Sequence, residues 1–274
     1  MHLEHFSYLR GDNPGASSSM IVKLLVLFLT PLLSGLAVYL VPSGRTKNFK
    51  LLLVFAGAYL FGITVVHILP ELYIKNSDVE LIGLFVLAGF FLQQVLEYFT
   101  SGIEHGHIHT HDPGEHHHHD EPHHEQISAF VLLAALCVHA FLEGAMLVQP
   151  TAVMGMHYDV NAILLGIALH RAPAAFALMT VLAFQLRSIN KAIPHLIFFS
   201  LAAPLGLLIS TYLIDVEILS ASGLTYLYAL VCGNFLHIST TIVFESSPAH
   251  RFYAKKMTVA IIGALLAVAV EYML

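Results

Sequence analysis

Two polar side chains stand in an apolar run, His139 and Glu143 in VHAFLEGAML (138–147). Spaced i and i+4, they project from one face of a helix. A neutral imidazole and a carboxylate are ordinary zinc ligands at about 2.0–2.2 Å, and a third protein ligand leaves one tetrahedral position for water. The best third ligand is His170 in ALHRAPAAF (168–176), at a depth similar to His139 when each is counted from the end of its own apolar segment. Pro173 removes the helical hydrogen bond to the Leu169 carbonyl and is expected to kink the chain, leaving a backbone oxygen beside the three side chains. Two plainer readings stay open on these residues alone. The His139 and Glu143 pair would serve as a buried hydrogen-bonded pair, and Arg171 as a helix-packing partner of Glu143.

Ionisable groups near mid-bilayer cost roughly 2.5 to 3.5 kcal/mol each on insertion scales, so each calls for a partner or a task. Besides the residues above, the apolar segments hold His67 and Glu71 flanking Pro70 (VVHILPEL), and Asn234, His237 and Glu245 (GNFLHISTTIVFES). His67, Glu71, His237 and Glu245 are therefore candidates for a polar pathway or a secondary metal site. His157 and His195, at segment edges, read as interfacial.

A third feature is the segment HGHIHTHDPGEHHHHDEPHHEQ, residues 105–126. It holds ten of the 19 histidines (His105, His107, His109, His111, His116, His117, His118, His119, His123 and His124) and no Lys or Arg. Such a composition cannot build a core, and imidazole with carboxylate suits zinc, nickel or copper. It is interleaved with Asp, Gly and Pro and lies between two apolar segments, which argues against an affinity tag. It reads as a fluid, weakly selective receiver or sensor of metal.

The elements that position these residues follow from composition. The 274-residue chain is 57% hydrophobic and 11% charged, with mean hydropathy +0.75. That is an integral membrane protein with many passes. A bilayer core about 30 Å thick needs about 20 apolar helical residues, and eight windows qualify: 20–41, 49–70, 80–100, 127–149, 160–185, 192–214, 220–244 and 255–273. Cations gather in alternate loops, at Arg45, Lys47 and Lys50, at Arg187 and Lys191, and at Arg251, Lys255 and Lys256. By the positive-inside rule both termini face outside and the 101–126 loop is cytoplasmic. The expected division is 1–100 for the N-terminal tail and helices one to three, 101–126 for the His-rich loop, 127–185 for helices four and five with the metal site, and 186–274 for helices six to eight. Segments one to three and six to eight suit two inverted triplets around a central pair, an arrangement common in transporters though not visible here as sequence identity. Cys137 and Cys232 lie in apolar runs and read as buried free thiols. The first nineteen residues do not resemble a cleaved signal peptide, and the formal charge of −6 implies no nucleic-acid partner.

Taken together these residues resemble the ZIP family of divalent-metal transporters over nearly the whole chain. The resemblance rests on eight helices with both ends outside, a His-rich loop after the third, His-x-x-x-Glu-Gly at His139 to Gly144, His170 on the fifth helix, and the ending HILPE on the second. It implies uptake of zinc, or of iron, manganese or cadmium, into the cytoplasm. Helices two, four, five and seven would surround the path, and one helix group would move against another. It also implies a homodimer, an expected location in the cell (inner) membrane, and no enzymatic activity. Some relatives hold a second metal with acids directly after the span-five His and three residues further on. This chain has Arg171 and Ala174 there, and Ala140 replaces a polar residue of the fourth helix, so one ion is expected, with the guanidinium in the space of the second. The rival reading is an intramembrane metal-dependent hydrolase, but the H-E-x-x-H pattern such enzymes use is absent. No ATP-binding loop of the Walker type occurs either, so an ion or voltage gradient would drive transport.

Overall fold

The computed structural model describes residues 14–40, 47–100, 129–148, 160–245 and 254–273. All regular elements among them are helices: α1 (Pro14–Leu36), α2 (Lys47–Ile63), α3 (Leu69–Lys75), α4 (Val79–Thr100), α5 (Ala129–Ala145), α6 (Val160–Gln185), α7 (Ile189–Asp215), α8 (Ala221–Glu245) and α9 (Ala254–Met273). Six rods are long and apolar enough to cross a membrane, with α5 a shorter apolar helix over Phe130–Ala145. Their outward faces are apolar as well. On α4, Leu84, Leu87, Phe91 and Val95 form one exposed stripe at helical spacing, whereas Gln93 on the opposite side is fully buried. Apolar outside and polar inside is the pattern of a helix bundle solvated by lipid.

α2 and α3 form one rod joined by a π-helical stretch, Thr64–Ile68. Its cause is Pro70, whose ring has no N–H and would collide with the carbonyl of Val66 in a regular α-helix; widening the turn relieves the collision. His67 lies inside this widened stretch. Helix α6, by contrast, runs uninterrupted through Pro173.

The helices sort into two groups by contact. α1, α5, α6 and α7 pack on one another, as do α2, α4, α8 and α9, and the groups meet where α2 lies on α6 and α4 on α5. Two of these contacts bring backbone onto backbone. A Cβ at Gly144 of α5 would fall on the Ala203 carbonyl oxygen of α7, and one at Gly206 of α7 on the Phe141 carbonyl oxygen of α5. The same reciprocal contact joins α4 and α8, through Gly89 against Leu230 and Gly233 against Val86. Without a hydrophobic force between helices in lipid, such close approach supplies the packing energy.

Beyond Gly144, α5 ends under cover. Met146, Leu147 and Val148, the turn that follows it, are buried, and two of that turn's carbonyls are taken by other helices. The ammonium of Lys23 on α1 donates to Leu147 O at 3.4 Å, and the hydroxyl of Tyr228 on α8 donates to Val148 O at 2.6 Å. Backbone acceptors in an apolar interior are thereby satisfied.

Gly144→Val should force α5 off α7, costing at least about 1–3 kcal/mol as overpacking. Gly83→Ala, whose new Cβ would meet only Tyr73 Oη at 3.7 Å, should leave the melting temperature unchanged. Thermal unfolding of the two variants in detergent checks this, and equal melting curves would refute the close-packing account.

Candidate functional site

Glu143 lies at the meeting of α5 and α6 with no solvent exposure, and its two oxygens face different partners. Oε1 is 3.1 Å from His139 Nε2, one turn back on the same helix, and 4.0 Å from His170 Nε2 of α6. Oε2 is 3.9 Å from Arg171 Nε. The two imidazoles stand edge to face with centroids 5.8 Å apart. Ligand atoms of His139, Glu143 and His170 all lie within 4.8 Å of one another, and all three residues are buried. Nitrogen and oxygen ligands about 2.0–2.2 Å from one ion stand a little over 3 Å apart in a tetrahedron, so small side-chain adjustments bring all three onto one centre.

Arg171 is the largest fully buried side chain among the described residues. One guanidinium nitrogen donates to Phe199 O of α7 at 3.1 Å, and the group lies 4.9 Å from the centre of the Phe199 ring. A cation anchored by a carbonyl and an aromatic face is held in place rather than left to seek water. Ser34 of α1 donates to Ala172 O at 2.5 Å, fastening α6 at the residue after the guanidinium. Ala140 and Ala174 are buried methyl groups that offer no ligand.

Of the other residues singled out in the sequence, none joins this group. His67 is partly buried in the π stretch and Glu71 is partly exposed in the first turn of α3. His237 Nδ1 is 3.3 Å from Glu97 Oε2 of α4. Glu245 ends α8, and its side chain, His157 and the histidines of 105–126 lie outside the described residues. His195 is interfacial, its Nδ1 3.2 Å from Lys191 O. Cys137 and Cys232 are free thiols. Sequence reasoning missed Glu97, although Gln93 and Glu97 at i and i+4 in an apolar helix repeat the very spacing that exposed His139 and Glu143. It also missed Phe199, which nothing distinguishes from the aromatics around it.

An apolar helical bundle enclosing two buried imidazoles and a buried carboxylate defines a multi-pass integral membrane protein built around a group of side chains able to hold a metal ion. The profile of the ZIP zinc transporter family matches residues 102–271, more than half of the chain, and the protein belongs to that family. It is accordingly a metal transporter. No curated protein matches the chain significantly.

Arg171→Met and Glu143→Gln should each destabilise the metal-free protein by about 3–5 kcal/mol, because each leaves a buried charge uncompensated. The double variant should cost less than the sum of the two. Chemical unfolding in detergent with metal chelated measures the cycle. Strict additivity would mean that the 3.9 Å contact carries no coupling.

Proposed function

We propose that the protein carries a divalent cation, zinc in the first place, into the cytoplasm by alternating access through His139, Glu143 and His170. The observation that carries this reading is the convergence of three buried ligand atoms from two helices within 4.8 Å. A single buried His has ordinary structural explanations, but two imidazoles on one carboxylate oxygen form the donor set of a borderline divalent ion. Arg171 fits the same purpose. Its charge lies on the Oε2 side, 3.9 Å away, leaving Oε1 to the imidazoles, and with Ala140 and Ala174 in place of acids it leaves room and charge for one ion. The ion reaches the site past His67 and Glu71 and leaves past His237 and Glu245 toward the histidines of 105–126. Residues 127–185 thus hold the site, flanked by 1–100 and 186–274, and the loop is an accessory.

The eight-helix reading is supported by α5 and α9, apolar helices besides the six candidate spans, and the both-ends-outside orientation by the cations of alternate loops. An inverted 3+2+3 repeat is supported by the packing. Exchanging helices one to three with six to eight, and four with five, turns the first–fifth contact (α1 on α6) into the sixth–fourth (α7 on α5). It also turns the third–seventh (α4 on α8) into the eighth–second (α9 on α2), and all four are major contacts. A homodimer in the cell (inner) membrane completes the proposal. Affinity alone does not separate zinc from iron, manganese or cadmium at such a site, so the order of metals is a matter for transport assays. Protons compete for the same imidazoles, so uptake weakens as pH falls through the histidine range.

In proteoliposomes loaded with a zinc-sensitive dye, the intact chain should take up zinc, His139→Ala and Glu143→Ala should fall to the rate of empty vesicles, and a chain lacking 105–126 should retain uptake. Unchanged uptake in the two point variants would remove these residues from the path.

A further inference from the structure

A second imidazole–carboxylate contact lies on the other helix group, between α4 and α8. The two helices run parallel in a fixed register, with Phe85 stacked on Tyr226 at 4.8 Å, the paired glycine contacts next, and Phe90 edge-on to His237 at 4.8 Å. In this register Glu97 meets His237 at 3.3 Å, their side chains 17% and 8% exposed. One turn before each, on the same faces, come Gln93 and Asn234, both with no exposure. Neither atom of the Asn234 carboxamide has a hydrogen-bond partner among the described residues. A buried amide in that condition is costly unless something occupies it.

Charge sharpens the point. Neither α4 nor α8 contains Lys or Arg, so Glu97 has no guanidinium on its own pair of helices to play the part Arg171 plays for Glu143. A carboxylate, an imidazole and amide oxygens are the ligands of a divalent ion at an intermediate station. Position agrees with such a role. Glu97 stands one turn before Thr100, the end of α4, and His105 follows five residues later.

We infer that Glu97 and His237, with Asn234 and Gln93 one turn above them, form a second divalent-cation site between α4 and α8. It is separate from the Glu143 group and serves as the station from which the ion passes to the His-rich segment. The identity of the ion rests on the proposed transport function; the site itself does not.

The test uses the full-length chain with Co²⁺ alone as the probe. The His-rich segment has no cysteine, and Cys137 and Cys232 are common to all samples, so the unaltered protein sets the baseline. His237→Cys gives the station a thiolate, whose sulfur-to-cobalt charge-transfer absorption reports an ion bound there and nowhere else. A new band is expected in His237→Cys. Its apparent Co²⁺ affinity should drop by roughly tenfold or more when Glu97→Gln is added and stay unchanged when His139→Ala is added. No band in a folded His237→Cys protein, or a band indifferent to Glu97, overturns the site. If His237→Cys does not fold, Glu97→Cys with and without His237→Phe makes the same comparison from α4. Zinc uptake by the unaltered protein is read alongside. A band without uptake defeats the transport function and leaves the site, whereas uptake without a band defeats the site alone.

Discussion

Everything around the buried centre follows from one constraint, a carboxylate held with no solvent exposure inside an apolar bundle. An isolated charge there would be prohibitive, so Glu143 must be surrounded by groups that accept its field. His139 is supplied by the periodicity of α5 itself. His170 and Arg171 are adjacent on α6, and adjacent helical residues diverge by about 100°. They serve one carboxylate only because it is used from both ends, Oε1 toward the imidazoles and Oε2 toward the guanidinium. Gly144, the next residue, brings α5 against the backbone of α7, the helix whose Phe199 carries the guanidinium. The signature His-x-x-x-Glu-Gly therefore combines a chemical pair with the contact that positions its counter-ion.

The division into two helix groups gives this centre its surroundings. His139, Glu143, His170, Arg171 and Phe199 all belong to α5, α6 and α7, whereas His67, Glu71, Glu97 and His237 belong to the group built on α2, α3, α4 and α8. The charge-bearing residues of the bundle are thus shared between two bodies that touch along α2 with α6 and α4 with α5. Past the end of α5, Tyr228 reaches across from the second body to Val148, and Tyr59 of α2 donates to Ala162 O of α6, so two buried hydroxyls tie the bodies together. Displacement of one body against the other would change the distance between the two sets of polar side chains without dismantling either.

The sequence disclosed the centre and left its setting hidden, for physical reasons that differ from residue to residue. His139, Glu143 and His170 were legible because a polar group deep in an apolar helix has few explanations, and helical spacing with depth counting brings them together. Arg171 was legible as a neighbour, but not which oxygen it takes, because that depends on its tether to Phe199. The pairing of α4 with α8 and of α5 with α7 was not legible, since Gly89, Gly144, Gly206 and Gly233 resemble the other glycines of these segments until a partner backbone is known. Lys23 falls in the first apolar window, yet it is 5% exposed and donates to Leu147 O just past α5, its long stem allowing the ammonium to reach that buried carbonyl. Pro70 was noticed near the end of a segment; its effect is instead a widened turn that contains His67.

The tethered guanidinium also bears on how strongly such a centre can hold its ion. Glu143 and Arg171 together contribute no net charge, so under the proposed function a divalent cation arriving between the imidazoles would meet one carboxylate already partly neutralised. A second carboxylate about 4 Å from a divalent ion would add about 8 kcal/mol of attraction at an effective dielectric constant of about 20, roughly six orders of magnitude in affinity before desolvation is counted. With alanines at 140 and 174 that increment is absent. A carrier must release what it binds, and sites that conduct have to be favourable enough to fill yet weak enough to empty. Under the transport function proposed above, Arg171 suits both demands, because it lies 3.9 Å from Oε2, leaving Oε1 to the imidazoles, and offsets the charge that would trap an ion.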